Sequence, residues 1–199
     1  TVVVLFCGAG GFSRGFAEEG FSIVVGVDCF EPAAKTFKLN FPGAEVVTED
    51  VKTLRSEDIE SLVGRPDVVI GGPPCEPFTG ANPRRMPNPL DRLYSDPVGM
   101  LVLHFIRIVG DLRPKVFVME NVPGIMEGGL REAIKREFER VGYPRIHFNL
   151  LRAEDYGTPS RRLRVFISNV RIRPKPFSRR VRVIDAIGDL PPPDVPHGI

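Results

Sequence analysis

The sequence predicts an α/β fold: a mainly parallel, doubly wound sheet of Rossmann-like type. Two observations lead there. Short continuous apolar runs, among them Val68–Ile70 and Val116–Met119, end in glycine or polar turns, as strands buried on both faces do. These runs alternate with stretches of helical period along the chain, which implies crossover helices on both faces of one sheet.

In chain order, strand 2–6 passes into a glycine turn at 8–11 and a helix from Ser13 to Glu19. Strand Ile23–Val27 and a helix over Pro32–Asn40 follow, then strand Glu45–Val47 and an acidic turn at Glu49-Asp50. Next come a short helix over Ser56–Val63 and strand Asp67–Ile70. The proline-rich stretch 73–97 is too long and irregular for a routine connection. It reads as a lid in which Arg84, Arg85 and Arg92 close on an anionic substrate, with an ordered surface loop as the alternative. A helix over Pro97–Leu112, strand Lys115–Met119, helix Gly129–Val141, and strands Arg145–Leu151 and Arg164–Ser168 complete the series.

With 199 residues, 42% hydrophobic and 26% charged, the chain fits one α/β domain with a substantial core. No apolar run approaches the roughly eighteen residues that cross a bilayer, and no charged leader precedes Val2–Phe6, so a cytoplasmic protein without a membrane partner is expected. Cys7, Cys29 and Cys75 have neither metal-ligand spacing nor an even count, which argues against a structural zinc site and a disulfide framework; no metal is expected. The net charge of +2 conceals a segment, 161–182, with nine Arg or Lys and no acid. Such a segment is either a phosphate-contacting surface or a solvated basic face.

Two motifs follow buried strands: Gly71-Gly72-Pro73-Pro74-Cys75 and Glu120-Asn121-Val122. Ligand sites of parallel sheets lie at the carboxyl ends of the strands. A cysteine there is readily made nucleophilic, and a neighbouring acid protonates or polarises what the thiolate attacks. Singly, the cysteine also reads as a small buried hydrophobe and the Glu-Asn pair as turn chemistry.

The first strand runs into Phe6-Cys7-Gly8-Ala9-Gly10-Gly11-Phe12-Ser13, where backbone can approach a ligand closely. Dinucleotide-binding turns place a glycine where this chain has Ser13, which counts against a nicotinamide cofactor. Asp28, twenty residues beyond Gly8, is placed to accept hydrogen bonds from ribose hydroxyls, and Asp50 to reach an adenine amino group, with turn formation the alternative for each. The chain has no Gly-Lys-Ser/Thr phosphate cradle, so an adenosine ligand lacking a polyphosphate fits best, and S-adenosylmethionine is of that kind.

These residues closely resemble the cytosine carbon-5 DNA methyltransferase family. The resemblance rests on Phe6-Cys7-Gly8-Ala9-Gly10-Gly11, Gly72-Pro73-Pro74-Cys75, Glu120-Asn121-Val122 and Ser160-Arg161-Arg162-Leu163-Arg164. Supporting matches are Asn40-Phe41-Pro42, Tyr156-Gly157-Thr158-Pro159 and Ala186-Ile187-Gly188-Asp189-Leu190-Pro191. The resemblance implies transfer of a methyl group from S-adenosylmethionine to carbon 5 of a flipped-out cytosine in DNA, through a covalent adduct of Cys75 at carbon 6. By the same resemblance Glu120 acts at N3 and the exocyclic amine, Arg164 at the cytosine carbonyl, Arg162 on the closed catalytic loop and phosphate, and Asn121 orders the loop. The resemblance also implies that Phe6, Gly8, Ala9, Gly10, Gly11, Asp28, Cys29, Asp50, Val51 and Pro73 would line the cofactor pocket.

Three positions depart from the family pattern: Glu76 stands where glutamine is usual after the nucleophile, Ser160 replaces the first glutamine of the arginine motif, and Leu163 replaces a polar residue. Glu76 sets a carboxylate beside the thiol, which predicts an altered rate or pH dependence. The expected division is a catalytic and cofactor-binding unit over 1–182 and an exit segment over 183–199 toward a target-recognition region and a last cofactor-site motif. A second chain that supplies both is an alternative, and the protein would be nucleoid-associated when bound to DNA. Two other readings stay open: a tRNA cytosine carbon-5 methyltransferase, with RNA as partner, and a catalytically idle cofactor- or nucleic-acid-binding subunit.

Overall fold

In the computed structural model, which describes residues 1–191, the apolar runs alternate between two cores. The elements are β1 (Val2–Leu5), α1 (Gly11–Glu18), β2 (Ile23–Val27), α2 (Glu31–Asn40), β3 (Glu45–Val47), α3 (Ser56–Val63), β4 (Val68–Gly71), α4 (Pro89–Tyr94), α5 (Leu101–Leu112), β5 (Val116–Asn121), α6 (Leu130–Arg140), β6 (His147–Arg152), β7 (Leu163–Ser168) and α7 (Val183–Ile187). Successive strand side chains point to opposite faces. Val3 and Leu5 of β1, Val69 of β4, and Phe117 and Met119 of β5 therefore enter one core with α3, α5 and α6, while Val2, Val4, Val68, Ile70 and Val118 enter the other, with Phe37 of α2 and Phe12 and Phe16 of α1 against them. Burial on both faces is why these strands lack polar alternation.

The seven strands form one sheet in the order β3-β2-β1-β4-β5-β7-β6. The pairs β1 with β2, β1 with β4, β2 with β3, and β4 with β5 are parallel. β7 is antiparallel to β5 and to β6, so the last strand in sequence lies inside the sheet and the next-to-last at its edge. The doubly wound, mainly parallel expectation holds, with one strand reversed. Asn169 extends this junction past the ladder: its amide donates to Lys115 O at 2.9 Å and accepts from Phe117 N at 3.1 Å. Beneath it, the Phe117 ring stacks on Phe138 at 4.4 Å between centroids and meets Tyr143 edge-on at 5.1 Å, contacts that add to burial energy.

Several boundaries differ from the sequence expectation for local reasons. β1 stops at Leu5 because Phe6 has φ 55°, a left-handed conformation no strand accommodates. β5 continues through Asn121, so Glu120 and Asn121 are strand residues paired with β7. The helix expected over 97–112 starts at Leu101, since Asp96 Oδ1 accepts from Val98 N and Gly99 N and holds a turn there. α4 lies outside the sequence expectation, although its signal is present: Asn88 caps it by accepting from Leu90 N, and Pro89 opens its first turn. Part of the exit segment is described, with α7 at its start; the part over 192–199 lies outside the described residues.

Candidate active site

The site assembles at the carboxyl end of the parallel strands. After β1 the chain turns at Phe6 and Gly8, both with positive φ, and enters α1 from Gly10 at φ 95°. Two neighbours hold this turn. Gly8 N donates to Asp28 Oδ2 at 2.8 Å, joining the ends of β1 and β2, and Asn40 Nδ2 donates to Ala9 O at 2.7 Å from the end of α2. A side chain at Gly10 would collide with the Phe41 ring, whereas one at Gly8 or Gly11 would meet open space. The Asn40-Phe41 pair thus braces the glycine turn from behind, a role its sequence match left unassigned.

A cavity of about 370 Å³ opens beyond this turn, within the roughly 300–1,000 Å³ of small-molecule sites. Phe6, Cys7, Gly8, Ala9 and Gly11 line one side, and Gly71, Gly72, Glu120 and Arg162 the other. Gly10 lines a separate hollow with Arg14, Asn40 and Phe41. Asp28 already accepts from Gly8 N and, through Oδ1 at 2.9 Å, from Phe30 N; each oxygen keeps a second lone pair for a ligand hydroxyl. Cys29 is exposed beside it. Asp50 Oδ1 accepts from Lys52 N at 3.0 Å, a turn contact. The Val51 side chain is buried in the core and its carbonyl accepts from Arg107 Nη2 at 2.9 Å. Ser13, at the third-glycine position, is fully buried with no hydrogen-bond partner for its hydroxyl among the described residues.

On the far side of the cavity β4 leads through Gly72 and Pro73 to Cys75, half-buried at the head of a tight turn in which Phe78 N and Thr79 N both donate to Cys75 O at 2.9 Å. Asn121, wholly buried, links this segment to β5: its Nδ2 donates to Pro73 O at 3.1 Å, and its Oδ1 accepts from Val122 N at 2.9 Å. Next to it Glu120 Oε1 lies 3.0 Å from Arg164 Nε and 3.9 Å from Arg162 Nη2. Arg164 donates in turn to Leu163 O at 2.8 Å, which fixes the guanidinium against the carboxylate. A second hollow of about 420 Å³ lies beyond, bounded by Leu151, Tyr156, Thr158 and Arg164 and sharing Glu120, Arg162 and Phe166 with the first. Glu120 therefore stands in the wall between two hollows.

Cys7 is nearly buried and its thiol is pushed up to about 12, chiefly by burial and then by the Asp28 charge. The proline-rich stretch differs from the expected lid. Arg92 is 4% exposed and Arg85 half-buried, and both reach back to Glu127, so Arg84 is the one of the three that is fully exposed. The sequence conceals this because Glu127 lies 35 residues beyond Arg92.

The chain is similar to known proteins over most of its length. The chain is 44% identical to each of two Methanocaldococcus jannaschii proteins provisionally named type II methyltransferases, M.MjaORF1200P and M.MJ0563P, over 94% and 96% of its length. It spans 64% and 62% of those relatives. The crystal structure of a prophage-encoded E. coli protein, described as a DNA modification methyltransferase, superposes with a TM-score of 0.74 at 32% identity, covering 98% of this chain and 55% of that one. The C-5 cytosine-specific DNA methylase family matches residues 1–180, a span that holds the glycine turn, Cys75, Glu120-Asn121 and the Arg162/Arg164 pair, and the chain belongs to that family.

Proposed function

We propose that this chain is the catalytic and cofactor-binding part, over residues 1–182, of an enzyme that methylates carbon 5 of cytosine in DNA. The observation that carries the reading is convergence: Asn121 ties the peptide before Cys75 to β5, and the adjacent Glu120 is held by Arg164 from antiparallel β7 at the wall of the cavity. Three segments far apart in sequence thus bring a carboxyl, a guanidinium and the peptide that leads to Cys75 together, which supports the reading.

The cavity fits S-adenosylmethionine in the chemistry of its donors. Phe6, Gly8, Ala9 and Gly11 present turn backbone with open space above two glycines, Gly10 holds the turn's entry into α1, and Asp28 retains lone pairs for ribose hydroxyls. Asp28, Cys29, Asp50, Val51 and Pro73 are not among the residues that line the cavity, and their assignment to the cofactor rests on the family resemblance. When bound, the cofactor supplies an electrophilic methyl group.

The Cys75 thiolate adds to carbon 6 of a cytosine extruded from the stack, which makes carbon 5 nucleophilic. Negative charge develops on the pyrimidine, and Glu120 offers a proton or hydrogen bond at N3. Arg164 keeps Glu120 oriented and reaches the base carbonyl, and Arg162, more exposed, serves the loop and a phosphate. After transfer, loss of the carbon-5 proton expels the Cys75 thiolate and restores the ring.

The deciding experiment transfers labelled methyl from S-adenosylmethionine to duplex DNA and, in parallel, to tRNA, with the wild-type chain beside Cys75→Ala. Labelling of DNA that disappears in the variant is the expected result. Labelling of tRNA instead moves the reading to RNA, and undiminished labelling by Cys75→Ala removes the covalent step. Cofactor binding without labelling of either points to a segment or partner chain that completes the site.

A further inference from the structure

One carboxylate gathers the base of the loop that begins at Cys75. Glu127, just beyond the turn Pro123–Met126 that follows β5, accepts at Oε2 from Arg85 Nη1 at 3.2 Å and from Arg92 Nη1 at 3.1 Å. Arg92 is the buried limb. Its Nε donates to Met86 O at 2.7 Å and its Nη2 to Pro87 O at 3.1 Å, which folds 86–92 on itself, and Glu127 is its carboxylate partner. Arg85 is the looser limb, 27% exposed, and also reaches Phe78 O at 3.5 Å.

Phe78 makes this network relevant to the thiol. It is wholly buried, its N–H donates to Cys75 O, and Gly124 packs so closely on its carbonyl that a Cβ there would collide. The contacts therefore run from Glu127 through Arg85 to the turn that holds Cys75, while Glu127 itself hangs from the turn after Glu120 and Asn121. A half-exposed carboxylate adds little stability through a surface pair, so the consequence of the Arg85 contact lies in geometry.

Resting on the reaction proposed above, we propose that Glu127 is a positioning residue for methyl transfer: its carboxylate, acting through Arg85 and Arg92, keeps the Cys75 turn in register with Glu120. The test compares the wild-type chain with Glu127→Gln and with Arg85→Met, which leaves the buried Arg92 pair in place. Two rates are read: iodoacetamide alkylation of Cys75, resolved from Cys7 and Cys29 by peptide mass spectrometry, and single-turnover methyl transfer to duplex DNA.

In both variants Cys75 alkylation is expected to rise several-fold while transfer slows roughly 10- to 100-fold, the cost of an ångström-scale misplacement, with S-adenosylmethionine affinity unchanged. Wild-type rates of alkylation and transfer in both variants, whatever the melting temperature, overturn the proposal, and so does faster alkylation with undiminished transfer. If Glu127→Gln fails to fold, Arg85→Met decides alone. If the wild-type chain transfers no methyl group, the alkylation rates decide alone: faster Cys75 alkylation in both variants supports the role of Glu127 in holding the loop, and wild-type rates overturn it.

Discussion

Cys7 lines the cavity that the proposed reaction assigns to a methyl donor, and its environment keeps it unreactive. Burial and Asp28 push its thiol up to about 12, so it remains protonated where a thiolate would compete for the methyl group. The same shift makes a prediction about stability. The unfolded thiol ionises near 9.0, so below that pH neither state is charged and Cys7 costs nothing. As pH rises from 9.0 toward about 12 the unfolded chain loses the proton first, and stability falls. Cys7→Ala is expected to flatten this alkaline decline in melting temperature. A decline parallel to that of the wild type would show that Cys7 is not its source. At this scale part was legible: the motifs named Cys75, Glu120, Asn121 and the arginine pair, although Glu120 and Asn121 lie within β5 and not after it. The bracing by Asn40 and the two backbone bonds already held by Asp28 were not, because both depend on where a neighbouring element ends.

Among the elements, the turn Pro123–Met126 and the start of the Cys75 loop are packed backbone to backbone. Gly124→Ala would drive a methyl group into the Phe78 carbonyl, and overpacking of this kind typically costs about 1–3 kcal/mol. Denaturant unfolding should show that loss, while Gly80→Ala, whose Cβ meets nothing within 4 Å, should stay within about 0.5 kcal/mol of wild type. Equal stabilities would mean that the turn moves freely from Phe78. The strands were readable because burial on both faces leaves continuous apolar runs, and α4 escaped because a six-residue helix inside a proline-rich stretch has too little period to detect.

Across the whole molecule, charge is divided. Arg180 pairs with Asp155, and Arg179 and Arg182 pair with Asp185, whereas Arg161, Arg171, Arg173 and Lys175 are exposed and form no ion pair among the described residues. If Arg171, Arg173 and Lys175 meet DNA phosphates, replacing them with glutamine should reduce the slope of log affinity against log salt by about 0.9 for each phosphate no longer neutralised. An unchanged slope would assign them to a solvated face.

The sequence by itself determined the strands and all the longer helices, though not α4, the order of the motifs, and the placing of the glycine turn, Asp28 and Asp50 after the carboxyl ends of β1, β2 and β3, because hydrophobic period and turn chemistry are local properties. Only the tertiary structure decided that β7 runs antiparallel between β5 and β6, which sets Arg164 3.0 Å from Glu120, and that Arg85 and Arg92 answer to Glu127. Period records which face of a strand is buried; the neighbouring strand and its register are set by packing between residues distant in sequence.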